Sequence, residues 1–272
     1  GLQKILEHYQ SAHGLQFFAA PGNHDPVKPF DSAAGKADFL GEGGFNQRIF
    51  SRGAAECAHY DGEWASIDDG YELNTICTEE IRQLGYQGVM EALSDFGFYP
   101  KAEYRYWETP YSSYKSPAAY QLTTAIAEAD YSKRLYEICL EGTGGQYKKE
   151  NYTHCSLVAD ASYLVEPAPD IWLLAIDANV YLPDAKQPDG GYHGSSSAGY
   201  NRMLTHKAHV IEWIADVVAR AKRENKQLLA FSHFPMTEFY DGQSEAIAEL
   251  FGETAFQLQR KPEINVSQAL AD

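Results

Sequence analysis

Residues 205–235 read THKAHVIEWIADVVARAKRENKQLLAFSHFP, and they contain one clean change of period. Val210, Ile211, Trp213, Ile214, Val217, Val218 and Ala221 recur along one face, which predicts an amphipathic helix over 205–225. Arg220, Lys222 and Arg223 gather in its last turn, where the macrodipole favours cations. The apolar run QLLAFS follows at once and reads as a second short apolar strand that hands His233 to a loop ahead of Pro235. Upstream, CSLVADASYLVEP (155–167) and DIWLLAID (170–177) predict two strands joined by a Pro-containing turn. Strand, helix and strand in alternation imply a layered α/β fold with some parallel pairing.

The same device occurs near the start of the chain. LQFFAA (15–20) reads as a buried strand, and Pro21, Gly22, Asn23, His24 and Asp25 follow it as a turn. In open α/β sheets, ligands bind outside the carboxyl ends of strands, so His24 and His233 become candidates for one site. Around these anchors, 2–12 predicts the end of an amphipathic helix and 102–108 a strand. Helix is predicted over 78–98, with Thr78 as N-cap, and again over 117–140. The stretch from 31 to 77 is polar and Gly-rich, with helical pieces but little clean period. AGKADFLGEGG (34–44) contains Gly-Lys but lacks phosphate-loop spacing, which rejects a nucleotide cradle there.

Composition narrows the function classes. A net charge of −16 is opposed to a basic nucleic-acid surface, and 13% aromatic content is opposed to disorder. No apolar run approaches the length of a membrane span. Cys57, Cys77, Cys139 and Cys155 form no CxxC pair, so a zinc ribbon is a poor reading. Their spacing permits disulfides 57–77 and 139–155, each stapling an insert, but four buried thiols in a cytosolic protein fit equally well. A periplasmic or secreted location is therefore as open as a cytoplasmic one.

The PGNHD of 21–25 after its apolar run, with AFSHFP (230–235) far downstream, resembles two signature blocks of the calcineurin-like metallophosphoesterases. WLLAIDANVY (172–181) and the helix bearing IEWI (211–214) resemble that family's approach to the second block. The resemblance implies an α/β/β/α sandwich forming a single domain over 1–272, with inserts at about 31–77 and 117–155. It implies a hydrolase of small phosphoric esters, monoester or diester, that uses two divalent metal ions (Mn, Fe or Zn). Asn23 and His233 would bind one metal, and His24 would protonate the leaving oxygen. Asp25 would orient the turn, and Gly22 would permit it. An inactive relative that keeps the fold as a binding or structural domain is the alternative.

The sequence departs from the family at both ends. No Asp-x-His or Gly-Asp-x-x-Asp block occurs in 1–22, and no Gly-His-x-His block occurs in 234–272. A segment cut from a longer chain is the expectation, one that by itself lacks activity. Asp177 and His193 are further candidates to line the site, each weighed against a structural or solvated-loop role. His206 and His209 read as surface residues, and Tyr181 and Tyr192 as candidates to stack on a substrate.

Overall fold

The computed structural model describes residues 2–57, 64–65, 73–184, 191–193, 202–234, 237–238, 243–252 and 256–257. Its centre is a four-stranded mixed sheet in the order Gln227–Ser232, Ile171–Ile176, Tyr163–Ala168, Tyr106–Glu108. The last three strands are antiparallel neighbours, and the 163–168 and 171–176 strands form the expected hairpin. Asp170 turns it with φ +61. The Gln227–Ser232 strand runs parallel to Ile171–Ile176, with Ile176 level with Ser232. Such pairing needs a crossover connection, and the Ala208–Arg223 helix supplies it, preceded by a short Met203–His206 turn of helix.

That helix buries Val210, Trp213, Ile214, Val217 and Ala221 in the main core, with Ile211 and Val218 partly covered, as the periodicity requires. Each fully buried side chain of this kind contributes roughly 1.5–3 kcal/mol over leaving it in water. Arg220 departs from expectation. It does not cap the dipole in solvent; it is buried and forms an ion pair with Glu108, while its Nε reaches Asp216 Oδ2 at 2.7 Å. Glu108 also accepts from Trp213 Nε1 at 2.9 Å and from the Tyr106 hydroxyl. The guanidinium lies 5.6 Å from the centre of the Trp172 ring.

Other predicted elements are changed. The run 15–20 joins no sheet; it is a segment without regular structure, held by Ala19 N–H on the Phe96 carbonyl (2.8 Å) and by the Tyr163 hydroxyl on the Ala19 carbonyl (2.9 Å). Phe17 and Phe18 lie against Phe96 and Tyr104 instead of in a ladder. The 78–98 helix is kept as α-helix over Gly85–Ala92 and as a kinked helical turn over Ser94–Phe98, but its first part is lost because Thr75–Thr78 and Arg82–Gln83 are strands. Gly85, at φ +60, sits against the Phe30 backbone where a Cβ would come within 2.5 Å. Of 117–140, only Leu122–Glu128 is α-helix, and Leu135–Ile138 is a strand paired with Ser156–Ala159.

Among the described residues of the insert at 31–77 the helical pieces are two 3₁₀ turns, Glu42–Gly44 and Ala55–Cys57. Gly35–Leu40, Asn46–Ser51, Thr75–Thr78 and Trp64–Ala65 form a second four-stranded sheet, with Phe50, Ala54, Cys57 and Cys77 as its own small core. Cys57 is disulfide-bonded to Cys77, and Cys139 to Cys155 just past the end of the 135–138/156–159 ribbon. The fold is thus mixed α/β with several sheets. Among the described residues no helix is long and apolar enough to cross a membrane.

Candidate functional site

The turn at 21–25 closes on itself. Gly22 N–H donates to Asp25 Oδ2 (2.8 Å), and Asp25 N–H returns to the Gly22 carbonyl (3.2 Å). Asp25 therefore shapes the turn by the short side-chain-to-backbone bonding that favours aspartate in such places. Pro21 and Gly22 are buried, Asn23 is half-buried, and His24 stands exposed at the tip. From the end of the Gln227–Ser232 strand comes His233, whose Nε2 lies 2.9 Å from Asn23 Oδ1 across 210 positions of sequence. The ring packs on Gly22: a Cβ there would lie 3.0 Å from His233 Nδ1 and 3.1 Å from Cε1 and Cγ. The glycine is needed for this close approach, not for a left-handed turn.

The structure thus brings Gly22, Asn23, His24 and Asp25 together with His233. The Asn23–His233 pair fits a divalent cation in donor chemistry and in spacing. A carboxamide oxygen and a neutral imidazole nitrogen are acceptable ligands, and two ligands at ~2.1 Å from one ion stand about 3 Å apart. Without a cation the two groups satisfy each other, Nε2–H donating to Oδ1. Taking up a metal requires moving that proton to Nδ1.

Asp177 lies elsewhere. Its carboxylate is fully buried, 3.0 Å from Lys207 Nζ, and accepts from the N–H groups of Ala161 and Asn179, each at 3.1 Å. Lys207 is also fully buried and donates to Asp160 Oδ2 and to the Asp177 carbonyl, both at 2.7 Å. Burial raises the Asp177 carboxyl, with Lys207 opposing and Asp160 adding to the rise. Burial alone would lower Lys207, but Asp160 and Asp177 hold it above its ordinary value. This cluster is a foundation beneath the turn. His193 pairs its Nε2 with Asp184 Oδ2 at 2.5 Å in a small ribbon of Leu182–Pro183 with Tyr192–His193. Residues 194–200 of its loop lie outside the described residues.

Sequence reasoning missed how the turn is held. Asn179 Nδ2 donates to the Pro21 carbonyl at 3.1 Å, and the Tyr181 hydroxyl donates to the Pro26 carbonyl. Tyr181 is therefore a buried strut and not a stacking surface; Tyr192, also buried, bonds Ser156 Oγ at 2.9 Å. The signal available was Asp-x-Asn-x-Tyr directly after the IWLLAI strand, polar groups where a chain leaves a sheet. His206 and His209 also differ from expectation. His206 is buried with Nε2 3.1 Å from the Leu140 carbonyl, and His209 lies 2.8 Å from the Tyr111 hydroxyl and against the Tyr136 ring.

Among the described residues, the one cluster of three metal-binding types is Glu137, Cys139 and Cys155, whose two sulfurs are bonded to each other. It does not fit a cation, because neither sulfur is a thiolate. No family model matches the chain, and neither the curated proteins nor the solved structures contain a match to it.

Proposed function

We propose that the chain carries part of the active site of a metal-dependent hydrolase of phosphoric esters, of the calcineurin-like metallophosphoesterase type and its α/β/β/α sandwich. The observation that carries this reading is the 2.9 Å approach of Asn23 to His233, two sequence-predicted ligands delivered by distant segments. Asn23 and His233 hold one of two divalent ions (Mn, Fe or Zn). Bound metal supplies charge stabilisation for the phosphoryl oxygens and a hydroxide at neutral pH. His24, exposed beside the pair, donates a proton to the leaving oxygen of a small phosphomonoester or phosphodiester. Gly22 and Asp25 keep these groups in register.

A panel of phosphatase and phosphodiesterase substrates on the complete gene product, with metal content by mass spectrometry, tests the reading. His24→Ala should lower turnover by ~10²–10⁴-fold, the usual scale of general acid catalysis, with metal content retained. Asn23→Ala and His233→Ala should each lower metal content. Loss of metal in His24→Ala would reverse the assigned roles.

A second reading, a non-catalytic relative, is favoured by the satisfied Asn23–His233 hydrogen bond, which needs no cation. Titration with Mn²⁺ and Zn²⁺ separates the two. If neither ion shifts the His233 ring resonances, the hydrolase reading falls.

A further inference from the structure

A turn that must hold a ligand to a fraction of an ångström needs an anchor, and the bonds within 21–25 join the turn only to itself. Two side chains tie its backbone to the core, and of these Asn179 has the more constrained chemistry. Both hydrogens of its Nδ2 are used, one on the Pro21 carbonyl and one on Asp177 Oδ1, each at 3.1 Å. Its own N–H donates to the same Asp177 oxygen at 3.1 Å. Its Oδ1 is buried without a partner. The residue acts through its donor end alone, and two acceptors dictate which end of the carboxamide faces them.

Beneath it the cluster is closed. Asp177 Oδ2 takes Ala161 N–H and Lys207, Asp160 Oδ1 takes Ser162 N–H at 2.8 Å, and Asp177 N–H donates to Ser162 Oγ at 3.0 Å. Asp160, Ser162, Asp177, Asn179 and Lys207 have essentially no exposed surface. Buried polar networks of this kind, once satisfied, rigidify what they touch.

We propose that Asn179 is the positioning residue of the site: it ties the Pro21 carbonyl to the buried Lys207–Asp160–Asp177 cluster and so fixes the turn from which Asn23 meets His233. The assignment deepens the hydrolase reading, and depends on it only in treating Asn23 and His233 as ligands. It also explains the residue type. An aspartate of the same shape would set oxygen against two acceptors, and a serine would not span the gap.

The test uses the metal-free 272-residue chain, so that it stands apart from catalysis. In Asn179→Asp, amide exchange at Gly22 and Asp25 should rise about tenfold or more, the weight of one lost hydrogen bond. Exchange in the 163–168 and 171–176 strands should keep its wild-type rate. The ring nitrogens of His233 should change from one fixed tautomer to an average, a spectroscopic change that general destabilisation does not cause in a folded protein. If Asn179→Asp fails to fold, Asn179→Ser, which adds no charge beside Asp177, decides the matter on the same readouts. Wild-type exchange at Gly22 and Asp25, or an unchanged tautomer, in either folded variant overturns the proposal. An inactive gene product with loosened turn amides in the variants would sink the hydrolase reading and leave this assignment intact.

Discussion

His209 illustrates what burial does to a single titratable group. Burial lowers its pKa to about 3, with Lys207 adding to the fall. The folded protein therefore keeps it neutral while the unfolded chain protonates near pH 6.5. Protons then bind preferentially to the unfolded state, so stability is fully present above about pH 6.5 and is lost as pH falls toward about 3. The slope is on the order of 1 kcal/mol per pH unit. In His209→Phe, urea midpoints measured from pH 7 to pH 4 should fall less steeply than in wild type. Lys207 works with the opposite sign. Because Asp160 and Asp177 raise it, its stabilisation is complete below the ordinary lysine value of 10.5 and is lost as pH climbs beyond. Lys207→Met should be strongly destabilised at neutral pH, by about 3–5 kcal/mol, since it strands two buried carboxylates. Calorimetry at pH 7 measures that loss.

At the scale of elements, Arg220 carries the clearest prediction. Arg220→Ala leaves Glu108 charged, buried and short of a partner, and should cost about 3–5 kcal/mol in denaturant unfolding. Replacing Arg220 and Glu108 together by apolar residues should recover much of it. The same residue shows where sequence reading stopped. The helix face from Val210 to Ala221 was legible, since apolar spacing alone defines it, and so were the strands on either side and the histidine that leaves the second one. Whether Arg220 faced solvent depended on Glu108, more than a hundred positions away and invisible to any local pattern. Segment 15–20 failed in the other direction. Phe17 and Phe18 are apolar enough for a strand, but ladders need a neighbour, and these rings found Phe96 and Tyr104 instead. The first part of the 78–98 helix gave way to strand pairing and to the left-handed Gly85 at which the helix starts, neither of which helical period registers. Asn23 and His233 were readable from their turns as residues that meet. Asn179 and Lys207 were not, because their roles exist only once the chain has folded around them.

For the molecule as a whole, two disulfides divide the labour. Cys57–Cys77 closes 20 positions within the small sheet, whose own core is slight, and Cys139–Cys155 closes 16 at the end of a two-stranded ribbon. Loops of that size stabilise by roughly 3 kcal/mol each in the chain-entropy account. Cys57 and Cys77 belong to that small core, which is separate from the main one. Reductant should therefore release exchange protection in 35–51 and 75–78 first, with the 163–176 hairpin holding, a sequence that exchange mass spectrometry resolves. Simultaneous loss of both regions would mean the small sheet and the large one unfold as a unit.

The parallel pairing that sets Ile176 beside Ser232 has one more consequence. Asp177 and His233 are the next residues after those two strands, Asp177 buried in the core cluster and His233 beside Asn23. Side chains alternate along a strand, so the direction in which the chain delivers His233 depends on odd or even count along Gln227–Ser232. Deleting one residue from the Gln227–Ser232 strand would change that parity, pointing the imidazole away from Asn23 while both residues remained in the sequence. Only a bulge could absorb the miscount. The site is specified by arithmetic along a strand as much as by the chemistry of the residues at its end.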